Sequence, residues 1–254
     1  MVCSLFSGSS GNSVFVRYKN TRVLIDCGKS AGATDKALTQ IGESSSDIAA
    51  FLITHEHIDH IRGINVFAAR HQTNVYATEG TWDAAQMQVT QKNVCRAGEG
   101  FSVGDILIKP FRISHDAREP VGYSLYAGEK KITIATDMGI VTPEAAEALV
   151  GSETVVLESN HDYRMLLQGR YPYFLKERIL GKKGHLSNKQ CAEVAAELVR
   201  RGTKHIMLAH LSDKNNLPQV AYATVTGFLK ENGIEPDRDV HLTVAPREGH
   251  LAAD

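Results

Sequence analysis

Residues 51–61, FLITHEHIDHI, constrain this chain more than any other stretch. Residues 49–53 form a short apolar run that reads as a buried strand. His55, Glu56, His57, Asp59 and His60 follow it directly. In an extended chain, residues two apart face the same way, so His55 and His57 converge on one point. A turn after Ile58 aims Asp59 and His60 at a second point close by. The ions of two-metal hydrolytic sites sit roughly 3.5–4 Å apart, which suits that layout. HxHxDH at a strand end therefore predicts a metal site rather than a polar surface loop.

Three further strands run into residues of the same chemistry. Residues 105–113 lead to His115, 131–136 to Asp137 and 204–209 to His210. A lone His or Asp at a strand end is usually a turn residue; beside a metal cluster it becomes a candidate ligand. Residues 154–157 read as a buried strand delivering Glu158, followed by Asn160, His161 and Asp162. His161 and Asp162 either shape the site or form a turn. His71, His205, His241 and His250 lack such a context and read as structural or exposed.

The remaining pattern interleaves strands and helices. Residues 14–18 and 22–26 predict a hairpin around Lys19-Asn20. Asp26 at its end either orients a histidine ligand or bonds within a turn. The preceding SGSSGNS loop, with Ser9, Ser10 and Asn12, has two readings: a backbone cradle for phosphate, or a plain flexible turn. Helices are predicted at 34–41, 62–72, 81–89, 143–150, 171–180 and 218–232, and strands at 74–77, 122–126 and 240–244. Thr142-Pro143 supplies an N-cap and a first-turn proline. Ser187-Asn188-Lys189-Gln190 is a capping box, and it opens a helix with an apolar stripe closed by Gly202. His185 thus sits just ahead of a helix N-terminus, where anions are favoured. No long linker interrupts the pattern, so residues 1–254 read as one α/β domain.

Charge narrows the partner. The net charge of −1 does not advertise nucleic-acid binding, but its distribution is uneven. Residues 164–204 carry ten Lys/Arg against three Glu, a balance of +7 that leaves −8 elsewhere. Arg200, Arg201 and Lys204 suit a helix C-terminus. The rest could be the footprint of a polyanion, with Lys182 and Lys183 as phosphate contacts or as solvated surface lysines. The opening residues lack the basic start and long apolar core of a signal peptide. No apolar run approaches the ~20 residues needed to span a bilayer. Four scattered cysteines without CxxC spacing read as reduced thiols. Together these predict a cytoplasmic protein without a membrane partner.

The ordered set HxHxDH (His55, His57, Asp59, His60), His115, Asp137 and His210 closely resembles that of the metallo-β-lactamase superfamily, over nearly the whole chain. The resemblance implies an αββα sandwich carrying two divalent metal ions. It implies that His55, His57 and His115 hold one metal and Asp59, His60 and His210 the other, with Asp137 bridging. Asp59 then counts among the catalytic residues as well as the ligands. Asp137 stands where true β-lactamases typically place Cys or Ser, and the second His of the motif stands where flavodiiron relatives typically have Glu. The segment GHLSNKQCAEVAAELVRRGTKHIMLAHLS is similar to the closing segment of RNase Z. That likeness implies His185 as a proton donor assisted by Glu158. The combination SGSSGNS, DCG, LESNHD, GHLSN and AHLS resembles more closely the YycJ (WalJ) group, which is associated with 5′-to-3′ exonuclease action on duplex DNA. No long insertion resembles the tRNA-gripping arm of RNase Z.

The chemistry follows from the ligands. Seven His/Asp donors without sulfur suit Mn²⁺ or Zn²⁺, with Fe²⁺ also possible. A metal lowers the pKa of bound water to about 7, so a bridging hydroxide could attack a phosphodiester. The leaving 3′-oxygen needs a proton, for which His185 is the candidate, held by Glu158. Three rivals stand beside the duplex-DNA exonuclease. They are an RNase Z-like RNA nuclease, a small-molecule (cyclic) phosphodiesterase or thioester hydrolase, and a non-catalytic, metal-stabilised binding module.

Overall fold

The computed structural model describes residues 1–253, and its contacts divide the chain into two compact units. The first comprises Met1–Arg112, Ala117–Glu129 and the chain from Pro246 on; the second comprises Ile113–Asp116 and Lys130–Ala245.

In the first unit the strands are β1 (Val2–Phe6), β2 (Ser13–Tyr18), β3 (Thr21–Ile25), β4 (Ala50–Leu52), β5 (Asn74–Ala77), β6 (Lys92–Val94), β7 (Phe101–Val103), β8 (Ile106–Arg112) and β9 (Val121–Ala127). Its helices are α1 (Ala31–Gln40), α2 (Ile58–Ile61), α3 (Ile64–His71) and α4 (Glu79–Ala85). One sheet runs from the C-terminal strand Glu248–Ala253 through β1 to β6 in order. Its members are antiparallel as far as β3 and parallel from β3 to β6. Strands β7, β8 and β9 form an antiparallel meander. The core under the first sheet gathers Phe15, Leu24, Leu38, Phe51, Phe67 and Trp82, with Phe51 and Phe67 meeting edge to face at 5.0 Å. The predicted hairpin forms, with Tyr18 opposite Thr21 across Lys19-Asn20.

The second unit is a parallel α/β array. Its strands are β10 (Lys130–Ala135), β11 (Thr154–Glu158), β12 (His205–Ala209) and β13 (His241–Val244), paired in chain order. Between them lie α5 (Pro143–Leu149), α6 (Tyr163–Gln168), α7 (Tyr173–Leu180), α8 (Asn188–Arg200) and α9 (Pro218–Glu231). The capping box at Ser187 and Gln190 is present, as is the Thr142 cap before Pro143.

The helix expectations need one correction and one addition. The helix predicted over 62–72 forms as α3, Ile64–His71, with Gly63 at its N-cap and Gln72 at its C-cap. The helix predicted over 81–89 starts earlier, capped by the Thr78 hydroxyl, and ends at Ala85, with Gln86 left-handed. The region around 171–180 carries a preceding helix, α6, which Asp162 caps through the Met165 N–H. Asp162 therefore serves as a helix N-cap.

Candidate functional site

In the first unit the metal motif emerges where β4 gives way to α2, so Asp59 and His60 lie in the first turn of that helix. The loop is pinned from both sides. Cys27 N–H donates to the His60 carbonyl at 2.7 Å, and Asn12 N–H to the Asp59 carbonyl at 2.8 Å. Gly28 is required here, because a Cβ would fall 1.8 Å from the Asp59 carbonyl oxygen. Beneath the loop, Asp26 is buried and left-handed at φ 64°. It takes the Thr54 N–H at 2.8 Å on one oxygen, and the Thr54 hydroxyl at 2.9 Å on the other. His60 Nδ1 stands 2.7 Å from that second oxygen.

These bonds fix the tautomers. A carboxylate only accepts, so His60 Nδ1 carries the hydrogen and Nε2 keeps its lone pair. The Thr54 hydroxyl has one hydrogen and gives it to Asp26, so it accepts from His55 Nδ1 at 2.9 Å. His55 and His60 therefore both present Nε2 as a metal donor. His60 Nε2 lies 3.6 Å from Asp59 Oδ2, and the His57 ring meets His55 edge-on at 4.6 Å. Two donors each about 2.1 Å from one tetrahedral ion stand about 3.4 Å apart, so the Asp59–His60 spacing fits. Burial pushes the Asp26 carboxyl up, against the pull of His60 and Thr54.

Asn12 is buried and its amide faces inward. Its Oδ1 accepts the Gly8 N–H at 2.9 Å, and its Nδ2 lies 3.2 Å from His60 Nε2 and 3.4 Å from Asp59 Oδ2. Ser9 is exposed, and Ser10 accepts from Lys29 Nζ at 3.0 Å. Sequence reasoning missed Lys29, whose side chain is only 17% exposed.

In the second unit three site residues sit at strand C-terminal ends, while His185 lies in the loop between α7 and α8. Asp137 comes after β10, Glu158 ends β11 and His210 comes after β12. Asp137 and His210 are left-handed, at φ 61° and 57°. Such backbone costs of order 1–3 kcal/mol for a non-glycine residue and clusters at functional sites. His115 Nδ1 stands 3.3 Å from the Gly184 carbonyl, which assigns its hydrogen there and its lone pair to Nε2. Around Asp137 Oδ1, His210 Nε2 lies at 3.4 Å, and His115 Nε2 and His185 Nδ1 at 3.8 Å. Asp137, Glu158, His185 and His210 together form a cluster tight enough to hold an ion.

Glu158 is fully buried and organises this cluster. Its Oε1 accepts from His185 Nδ1 at 2.8 Å and from His210 Nδ1 at 2.9 Å. Its Oε2 accepts the N–H groups of Met138 at 2.7 Å and Leu186 at 3.2 Å. Burial opposes the charge on Glu158, but the His185 charge and the bonds from His185 and His210 outweigh it. They hold the carboxyl well below the usual range. His185 is tied in place by its own N–H to the Ile179 carbonyl at 3.0 Å, while its side chain is 15% exposed. Lys182 and Lys183 beside it are exposed. Asp116, absent from the sequence reading, has Oδ1 3.4 Å from His115 Nε2 and pairs with Arg178. Its signal was only adjacency to His115. His161 is buried, with both ring nitrogens lacking a hydrogen-bond partner among the described residues, and burial pushes it down to about 4. His71 pairs with Asp35, and His241 and His250 are exposed.

Residues 21–211 match the family described as "Beta-lactamase superfamily domain". The chain is 38% identical over 234 residues to "Exodeoxyribonuclease YycJ" of Bacillus anthracis, covering 90% of this chain and 89% of that protein. It is 36% identical to "Exodeoxyribonuclease WalJ" of Streptococcus pneumoniae, covering 89% and 87%. In structure it is similar to the metallo-beta-lactamase fold protein YhfI from Bacillus subtilis. The TM-score is 0.76 at 12% identity, over 98% of both chains. That likeness bears out the αββα fold class expected from the sequence. The chain belongs to the beta-lactamase superfamily and, within it, to the YycJ/WalJ family, and it is a metal-dependent hydrolase.

Proposed function

We propose that this protein is a 5′-to-3′ exonuclease on duplex DNA, working with two divalent ions, Mn²⁺ or Zn²⁺ ahead of Fe²⁺. The observation that carries the reading is the 38% identity to a named exodeoxyribonuclease over nine-tenths of both chains. His55, His57 and His115 would hold one ion and Asp59, His60 and His210 the other, with Asp137 bridging. The donor set fits: the hydrogen bonds assign Nε2 lone pairs to His55, His60, His115 and His210, and carboxylate oxygens stand at ligand spacing beside three of them. When bound, such ions supply hydroxide at neutral pH and positive charge for the phosphoryl oxygens.

The remaining steps belong to the chain itself. His185 delivers a proton to the leaving 3′-oxygen, and Glu158, accepting from Nδ1, leaves Nε2 as the donating atom. Glu158 also orients His210, so one buried carboxylate links proton delivery to metal holding. Asp26 and Thr54 do the positioning for His60 and His55. Lys182 and Lys183 contact phosphates, as do Ser9 and Ser10; Asn12 acts on the substrate only through the loop it locks. Four buried free cysteines are consistent with a cytoplasmic setting, and no described helix is long and apolar enough to cross a membrane.

The test uses Mn²⁺-loaded protein and linear duplex DNA with a 5′-phosphate, labelled at one end or the other. Early mononucleotide release from the 5′ label, absent in His60→Ala, is the expected result. No cleavage with either label, while a simple phosphodiester is still hydrolysed, would overturn the DNA reading and favour a small-molecule or RNA substrate.

A further inference from the structure

The segment joining β11 to the His185 loop leaves aromatic surface in solvent. Tyr173 is 75% and Phe174 71% exposed, and Tyr163, Leu167 and Leu180 nearby are exposed as well. The other exposed large apolar residues among those described, Ile58, Val66, Val94, Leu107, Ile140, Val150 and Leu217, are each the single such residue of their element or loop. Isolated exposures need no explanation, but a contiguous set marks an interaction site. Leu167, Tyr173, Lys176, Glu177, Leu180 and Gly181 line a cleft of about 570 Å³ between α6 and α7. The walls are held: Lys176 Nζ donates to the Leu167 carbonyl at 2.6 Å, and Glu177, one turn on, bonds the Tyr173 hydroxyl.

Charge selects the occupant. Residues 163–183 carry six Lys/Arg and a single acid, Glu177. Arg164, Arg170, Lys182 and Lys183 are exposed. Aromatic faces set among basic groups are how proteins hold single-stranded nucleic acid, by stacking bases while cations follow the phosphates. A second copy of this chain would bring the same positive charge against itself.

The platform is rigidly coupled to the proposed proton donor. His185 N–H bonds the Ile179 carbonyl of α7, and Gly184 lies so close that a Cβ would stand 2.1 Å from the same oxygen. Tyr173 lies six residues before Ile179, about 9 Å along the helix axis at 1.5 Å per residue. That is the length of two to three nucleotides stacked at about 3.4 Å.

Resting on the nuclease reading above, we propose that Tyr173 and Phe174 form a stacking platform for unpaired bases of the substrate strand, a short distance from His185. The double variant Tyr173→Ala/Phe174→Ala should raise KM for 5′-labelled DNA with a single-stranded 5′ overhang about tenfold. Its kcat should change less than twofold, and hydrolysis of bis(p-nitrophenyl) phosphate should not change. Tyr173→Trp/Phe174→Trp should restore the wild-type KM. Independently, an overhang carrying 5-iodouracil should photocrosslink to Tyr173 or Phe174 in the metal-loaded wild type. Unchanged KM in the alanine variant, with no crosslink, would overturn the platform while leaving the nuclease reading intact. Crosslinking by a wild type that cleaves no DNA would keep the platform and overturn the nuclease reading. Loss of self-association in the alanine variant, with DNA kinetics unchanged, would assign the patch to a second copy and overturn the proposal.

Discussion

Each unit has a buried carboxylate that meets a histidine Nδ1, Asp26 in the first and Glu158 in the second, but the two are used differently. Asp26 serves two ligand candidates, His60 directly and His55 through the Thr54 hydroxyl, and its other oxygen is anchored by the Thr54 N–H. Glu158 serves His210, a proposed ligand, and His185, the proposed proton donor, which is partly open to solvent. The first arrangement can only orient. The second also orients a histidine that is partly open to solvent, which is the proposed proton donor. A buried carboxylate is thus not itself a sign of catalysis; what its second partner is decides the role.

The comparison can be broken most forcefully at Glu158. Glu158→Ala leaves two histidines and two backbone N–H groups without their acceptor, and removing one partner of a buried pair typically costs 3–5 kcal/mol. Guanidinium unfolding should register a loss of about that size, with Glu158→Gln losing less. A variant as stable as the wild type would show that the buried network contributes nothing.

Asp26→Asn should act more narrowly. Asparagine tolerates the left-handed backbone and keeps the shape, but no longer accepts as a carboxylate from His60. Metal titration should show affinity down about 10–100-fold, with the Nδ1–H···Oε1 bond of His185 to Glu158 still visible by NMR. Equal damage to both clusters would erase the distinction drawn above.

A pH-dependent effect concerns a histidine with no hydrogen-bond partner among the described residues. Burial pushes His161 down to about 4, against about 6.5 in an unfolded chain. The unfolded chain therefore takes up the proton first. Stability from this group is complete above about pH 6.5 and is lost as pH falls to about 4, by about 3 kcal/mol in all. His161→Gln should flatten the acid limb of stability against pH by that amount. Parallel acid limbs in the two proteins would contradict it.

How much of this was legible depended on whether the signal was local. His55, His57, Asp59 and His60 could be read because a period-two pattern runs straight out of an apolar strand. His115, Asp137 and His210 could be read because each follows a strand of its own. Asp26 was only half legible: its partners Thr54 and His60 lie 28 and 34 residues away, so a turn residue and a buried anchor look alike in sequence. Asn12 read as a phosphate contact, since nothing near it in the chain shows that its amide turns inward to Asp59 and His60. The strand β1 was missed because its partners include the C-terminal strand, at the far end of the chain. Strands β6 and β7 have three residues each, too few for periodicity to show. Asp and His are residue types that tolerate a left-handed backbone, but only the folded chain imposes it at Asp26, Asp137 and His210.

The central claim is that His185 moves a proton and does not hold metal, and substrates with different leaving groups test it most directly. His185→Ala should retain the wild-type metal content and hydrolyse bis(p-nitrophenyl) phosphate at near the wild-type rate, because p-nitrophenolate departs without a proton. On DNA, where the leaving 3′-oxygen needs one, its kcat should fall about 10²–10⁴-fold. Equal losses on both substrates, or loss of metal from the variant, would make His185 a ligand or a structural residue and contradict the account.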